Sequence, residues 1–74
     1  MGAYFSADLT TVELGEWGEP LPIEEVAPNV FVTRKDLPGR GARGVFSFDD
    51  DTRSHALLTV GAAYLEYYSC FRVD

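Results

Sequence analysis

Residues 52–73 read Thr52-Arg53-Ser54-His55-Ala56-Leu57-Leu58-Thr59-Val60-Gly61-Ala62-Ala63-Tyr64-Leu65-Glu66-Tyr67-Tyr68-Ser69-Cys70-Phe71-Arg72-Val73. Whether this stretch is one helix or two strands decides the fold. On a helical wheel with Leu57 at zero, Val60, Gly61, Tyr64, Leu65, Tyr68 and Phe71 fall within about 80° of it, and Leu58 at about 100°. His55, Thr59, Glu66 and Ser69 fall on the opposite side. The spacing predicts an amphipathic helix from about Thr52 to Ser69, roughly 27 Å long at 1.5 Å per residue. Asp51, Thr52 or Ser54 would cap it, and Asp49 to Asp51 would place negative charge where the helix dipole favours it. A rival reading splits the stretch at Gly61 into two strands, 56–60 and 64–73, which its β-branched and aromatic content favours.

The upstream residues read as sheet. Ala3 to Leu14 mixes β-formers with single polar residues and predicts one strand or two short ones. Gly15 to Pro22 carries two glycines and two prolines and reads as a loop. Trp17, within it, reads either as a lid folded onto the core or as an anchor for a partner. Pro22 to Ala27 predicts a single helical turn, with Glu24 and Glu25 at its N-terminal side and Pro28 ending it. Val30-Phe31-Val32-Thr33 and Val45-Phe46-Ser47-Phe48 are two β-type runs. They predict a hairpin with a long loop entered through Asp36-Leu37-Pro38-Gly39. The fold expected is α+β: a small antiparallel sheet of three or more strands packed against one C-terminal amphipathic helix. With 74 residues, the chain has room for one core, so residues 1–74 form a single domain.

Charge is segregated along the chain, whose net charge is −6. Residues 1–33 carry Asp8, Glu13, Glu16, Glu19, Glu24 and Glu25 and no base. Residues 34–48 set Arg34, Lys35, Arg40 and Arg43 against Asp36. Residues 49–74 are acidic again, through Asp49, Asp50, Asp51, Glu66 and Asp74 against Arg53 and Arg72. Such a field repels phosphates and anionic lipid and attracts basic protein surfaces. Direct nucleic-acid binding and membrane binding are therefore not expected. Cys70 is the one cysteine, so an intrachain disulfide framework is excluded. It reads as a small buried hydrophobe. The sequence shows no targeting segment, and a cytoplasmic location is the expectation.

Motifs for chemistry fail on their physical requirements. Gly39-Arg40-Gly41-Ala42-Arg43-Gly44 matches the dinucleotide string, but a strand pattern follows it where a helix N-terminus would have to hold the pyrophosphate. Asp49 to Asp51 lacks the later ligands of a calcium loop started at Asp49 or at Asp51. His55 and Cys70 would lie over 20 Å apart on the expected helix, as its rise per residue requires. No serine stands in a nucleophile elbow. No enzyme, cofactor or metal site is expected.

What remains is a protein-interaction role. Glu13, Glu16, Trp17, Glu19, Glu24, Glu25, Asp49, Asp50 and Asp51 are the candidate partner-binding residues, presenting carboxylates and one indole to a basic surface. An extreme form is a nucleic-acid mimic, which occupies the nucleic-acid-binding surface of another protein. In size and charge the chain resembles the small acidic inhibitors that bacteriophages make against host defence complexes. The alternative is an assembly protein that forms a homodimer through the tyrosines of the expected helix, Tyr64, Tyr67 and Tyr68.

Overall fold

The computed structural model describes residues 2–62 and 64–73, and only the backbone of Glu16, Tyr64 and Leu65. It is a closed β-barrel of seven strands: β1 (Gly2–Ser6), β2 (Thr11–Leu14), β3 (Leu21–Ala27), β4 (Val30–Thr33), β5 (Val45–Phe48), β6 (His55–Val60) and β7 (Tyr64–Val73). A short 3-10 turn, Gly15–Trp17, precedes β3. Each strand pairs antiparallel with the next in sequence. An odd number of alternating strands leaves the last running the same way as the first, so the closing pair β1–β7 is parallel, from Gly2↔Ser69 to Ser6↔Val73.

This corrects the α+β expectation. Among the described residues no C-terminal helix packs on a sheet; the stretch from Thr52 to Ser69 holds a turn followed by two paired antiparallel strands, as in the rival two-strand reading. Ala56, Leu58 and Val60 point inward and are buried, while His55 faces solvent and Leu57 and Thr59 are partly covered. That is the two-residue period of a pleat. A helix laid on five strands would leave two sheet edges open, whereas β6 and β7 close the ring and remove both. The single helical turn expected over Pro22 to Ala27 is also overturned, because these residues belong to β3. Two β-branched residues, Ile23 and Val26, and the ladder with β4 outweigh the weak preference of Glu24 and Glu25 for a helix start. The strands expected at 30–33 and 45–48 form and pair as a hairpin. Ala3 to Leu14 forms two strands.

Gly61 enters the β6–β7 turn at φ +60°. A side chain in this left-handed region costs about 1–2 kcal/mol. Gly61→Val should lower stability by at least that amount in a denaturant titration, and an unchanged midpoint would show that the turn re-forms in another geometry.

The interior is filled by side chains, as a barrel of this strand number allows. Phe5, Phe31, Phe46, Phe48 and Tyr68 are its large members. Phe5 meets Phe46 at 5.4 Å and Phe48 at 5.1 Å, and Phe31 meets Phe48 edge-on at 5.7 Å. We call the end holding the β1–β2, β3–β4 and β5–β6 connections the upper end, and the other the lower. Trp17 plugs the lower end, 6.4 Å from Phe46, together with the buried Leu37. Thr33 is buried and stitches the long lower loop. Its Oγ1 donates to the Lys35 carbonyl at 2.7 Å and accepts from the Gly44 N–H at 2.9 Å.

Candidate functional site

The fold gathers part of the acidic charge of the chain at one end. The upper connections carry Asp8, Asp49, Asp50 and Asp51, with Glu25 on the adjoining half of β3, against Arg53 and Arg72. The long lower loop carries Arg34, Lys35, Arg40 and Arg43 against Asp36. The upper end is thus acidic, whereas the lower end sets the bases of the long loop against Asp36 and against Glu16 and Glu19 of the β2–β3 connection.

The carboxylates at the upper end are held in place. Asp8 Oδ1 accepts from Ser6 Oγ at 2.8 Å, from Thr10 Oγ1 at 2.7 Å and from the Thr10 N–H at 3.2 Å. Asp50 Oδ1 accepts from the Thr52 hydroxyl and from the Thr52 N–H at 2.9 Å. Asp51 accepts from Asn29 Nδ2 at 2.8 Å. Glu25 faces the Arg53 guanidinium at 3.5 Å and accepts from the Asn29 N–H at 3.3 Å. Arg53 Nε in turn donates to Asn29 Oδ1 at 3.0 Å, which ties the β3–β4 hairpin to the β5–β6 turn. The guanidiniums of Arg53 and Arg72 also lie over the upper aromatic rings, Phe31, Phe48 and Phe5, at 5.6–5.8 Å.

Backbone strain divides the same way. Among the described residues, the non-glycine positions with positive φ are Leu9, Asn29 and Arg53, one in each upper connection. The positive-φ residues of the lower connections, Gly18, Gly39, Gly41 and Gly61, are all glycines. Asn tolerates the left-handed region, but Leu and Arg adopt it at a cost of about 1–2 kcal/mol each. The upper end therefore retains side chains where the lower end gives them up. Arg53 uses its side chain to bridge Glu25 and Asn29, and Leu9 packs its side chain on the core.

The hydroxyl of Thr10, then that of Ser6, holds the Asp8 carboxyl below the usual carboxylate range. The Thr52 hydroxyl and then its N–H do the same for Asp50. A carboxyl whose pKa is depressed by folding adds stability above its unfolded pKa and loses it as pH falls through the folded value. Stability should therefore decline as pH drops below about 4, and less steeply in an Asp8→Asn, Asp50→Asn variant. Carboxyl NMR titration checks the origin directly: midpoints for Asp8 and Asp50 at or above that of an ordinary aspartate would refute it.

The candidate residues read from the sequence are dispersed. Glu13 lies on the outer wall of β2, opposite Tyr4 of β1. Trp17 packs on the core at the lower end, and Glu19 is in the same connection. The side chain of Glu16 lies outside the described residues. Glu24 lies on β3, 3.7 Å from Arg34 in an exposed pair. Glu25, Asp49, Asp50 and Asp51 come together at the upper end. The Asp49–Asp51 run caps no helix; it forms the β5–β6 turn.

Asp8, Asn29 and Arg53 are members of this end that the sequence reading missed. Ser6-Ala7-Asp8-Leu9-Thr10 and Asp50-Asp51-Thr52 carry the composition of side-chain-stabilised turns, a signal that was present. The separation of His55 from Cys70 on a helix also falls. His55 pairs with Ser69 across the hairpin, and the pleat turns its ring outward while Cys70 packs on the core. Burial pushes the Cys70 thiol up to about 11. Among the described residues, no three His, Cys, Asp or Glu side chains converge as a metal site would need.

Beside this end the barrel wall has a gap. The β2–β3 register consists of Thr11↔Pro22 and Val12↔Leu21, followed by one bond from the Ile23 N–H to the Thr10 carbonyl. β3 runs on to Ala27, paired with β4 alone. A groove of about 430 Å³ opens there, lined by residues that include Asp8, Leu9, Ile23, Glu24, Glu25 and Phe31. Comparison of the chain with protein families, with curated proteins and with solved structures finds no match.

Proposed function

We propose that this chain is a protein-binding module whose acidic upper end occupies a basic surface of another protein. The observation that supports it most is the fixed geometry of Asp8, Glu25, Asp50 and Asp51 on connections that keep Leu9 and Arg53 in strained backbone. Carboxylates already ordered lose little entropy when they meet guanidinium or ammonium groups. Surfaces that bind nucleic acid are dense in such groups, so an inhibitor that stands in for nucleic acid is the most specific form of the reading.

The test is capture from the lysate of the cell that makes the chain, at low and high salt. A partner should be retained at low salt, released at high salt, and lost with Asp49→Lys and Asp51→Lys. It should survive Glu19→Lys at the lower end. Binding that ignores salt, or that depends equally on Glu19, would overturn the reading.

A second reading, the homodimer, moves from a helix to the sheet. Tyr4, Tyr67, Phe71 and Val73 are 41–52% exposed on the outer faces of β1 and β7, and Tyr4 stacks on Phe71 at 5.4 Å. At 150–250 Å² per ring this patch presents roughly 300–400 Å². A stable interface takes about 800 Å² from each partner. The patch alone is about half of that, which ranks the dimer second. Sedimentation decides it: a dimer that Phe71→Lys dissociates would favour this reading.

A further inference from the structure

The groove beside β3 is a site in its own right. We infer that it accepts an extended basic segment of a partner protein, which adds to the β3 edge as a strand. The inference rests on the acidic-end reading above and specifies how the partner enters.

Three features support it. The first is the edge itself. Past Ile23, β3 has no strand partner on its β2 side among the described residues, while its other side is paired as far as Glu25 and then, after a register shift, at Ala27. Main-chain groups on one side of an antiparallel strand alternate, so after Ile23 it is the N–H and C=O of Glu25 that face the gap. Edges of this kind are templates for another strand.

The second feature is the floor. Leu9 lines the groove, and the edges of the buried Ile23 and Phe31 lie beneath it. Side chains alternate in direction along an added strand, so every second one would meet this apolar surface. The volume of about 430 Å³ lies within the roughly 300–1,000 Å³ of ordinary binding clefts. The third feature is charge. Asp8, Glu24 and Glu25 line the groove; Arg34 lies beside Glu24 and Arg53 beside Glu25, so Asp8 is the carboxylate with no cation next to it. The excess is negative, so the remaining side chains of the strand are best basic. The occupant is thus an alternating basic–apolar segment in extended form.

The experiment uses the whole chain and three capped peptides. One is Lys-Val-Lys-Val-Lys-Val, the second replaces its central valine with proline, and the third replaces each lysine with glutamate. Binding is followed by amide NMR and hydrogen exchange. The first peptide should shift the Thr10 and Glu25 amides and slow exchange at Glu25 at least tenfold. The proline peptide should bind at least tenfold more weakly, since it keeps the charge but lacks the central N–H. The glutamate peptide should not bind. Glu24→Lys, an exposed substitution, should weaken the first peptide several-fold.

Equal binding of the lysine and proline peptides, with no protection at Glu25, would overturn strand addition and leave the acidic end as a simple charge surface. Failure of every lysine peptide at low salt would remove both readings. Protection of Glu25 by the glutamate peptide would show an edge that pairs without regard to charge, and would overturn the basic occupant.

Discussion

Phe46→Ala should abolish most of the stability of the domain, because Phe46 lies where the two ends of the core meet. Its ring is fully buried, 5.4 Å from Phe5 and 6.4 Å from Trp17. Truncating a buried Phe costs about 3–5 kcal/mol, from lost transfer energy and from the cavity left behind. A domain of this length has a total stability of roughly 4–11 kcal/mol at the usual value per residue. The variant should therefore unfold at much lower denaturant, or be unfolded at 25 °C. Trp17 is the one tryptophan, so its fluorescence reports the loss of the lower plug directly. A midpoint close to that of the parent chain would mean that the long loop collapses into the space and that Leu37 replaces the ring.

The second large effect concerns closure. A chain ending at Tyr68 keeps the first half of β7, which pairs with Leu57, Ala56 and their neighbours on β6. It loses every registered pair between β7 and β1, from Gly2↔Ser69 to Ser6↔Val73. Ladder bonds contribute about 0.5–1.5 kcal/mol each. The truncation also uncovers the buried Ala3 and Phe5 and removes the Arg72 guanidinium from the Phe5 and Phe48 rings. The summed loss is about 5 kcal/mol or more from the bonds and burial together, comparable with the whole stability. The shortened chain should lack a cooperative transition and should associate through its two open edges. Circular dichroism and light scattering check this. A cooperative, monomeric truncation would show that an open sheet suffices and that the parallel seam is dispensable.

The two variants test different links. The first removes mass from the core and leaves all pairing in place. The second removes pairing and leaves the lower core untouched. If both behave as expected, the stability of the barrel depends jointly on its filling and its closure, and the strain at Leu9 and Arg53 is carried by that reserve.

Features that depend on near neighbours could be read along the chain. The β-type runs at 30–33 and 45–48 were legible because β-branched and aromatic residues recur within four positions and a Pro-Gly turn divides them. The long loop was legible from its glycines. The block pattern of charge was legible because it is a property of order alone. What the sequence left open was the stretch from Thr52 to Val73, where apolar residues are dense enough to satisfy a helical wheel and a pleat together. The wheel placed Tyr68 and Phe71 on one face; the barrel buries Tyr68 and exposes half of Phe71. Only the tertiary structure decides between them, because the deciding contact is between the first strand and the last, pairs such as Tyr4↔Phe71 separated by nearly the whole chain. The same holds for the candidate site. Asp8, the Glu25–Asn29 pair and Asp51 are distant in sequence, and nothing local announces that a seven-stranded ring stacks their connections at one end. The acidic blocks were visible in the order of residues. The gathering of Asp8, Glu25 and Asp49 to Asp51 at one end, beside a gap in the wall, follows from closure of the barrel.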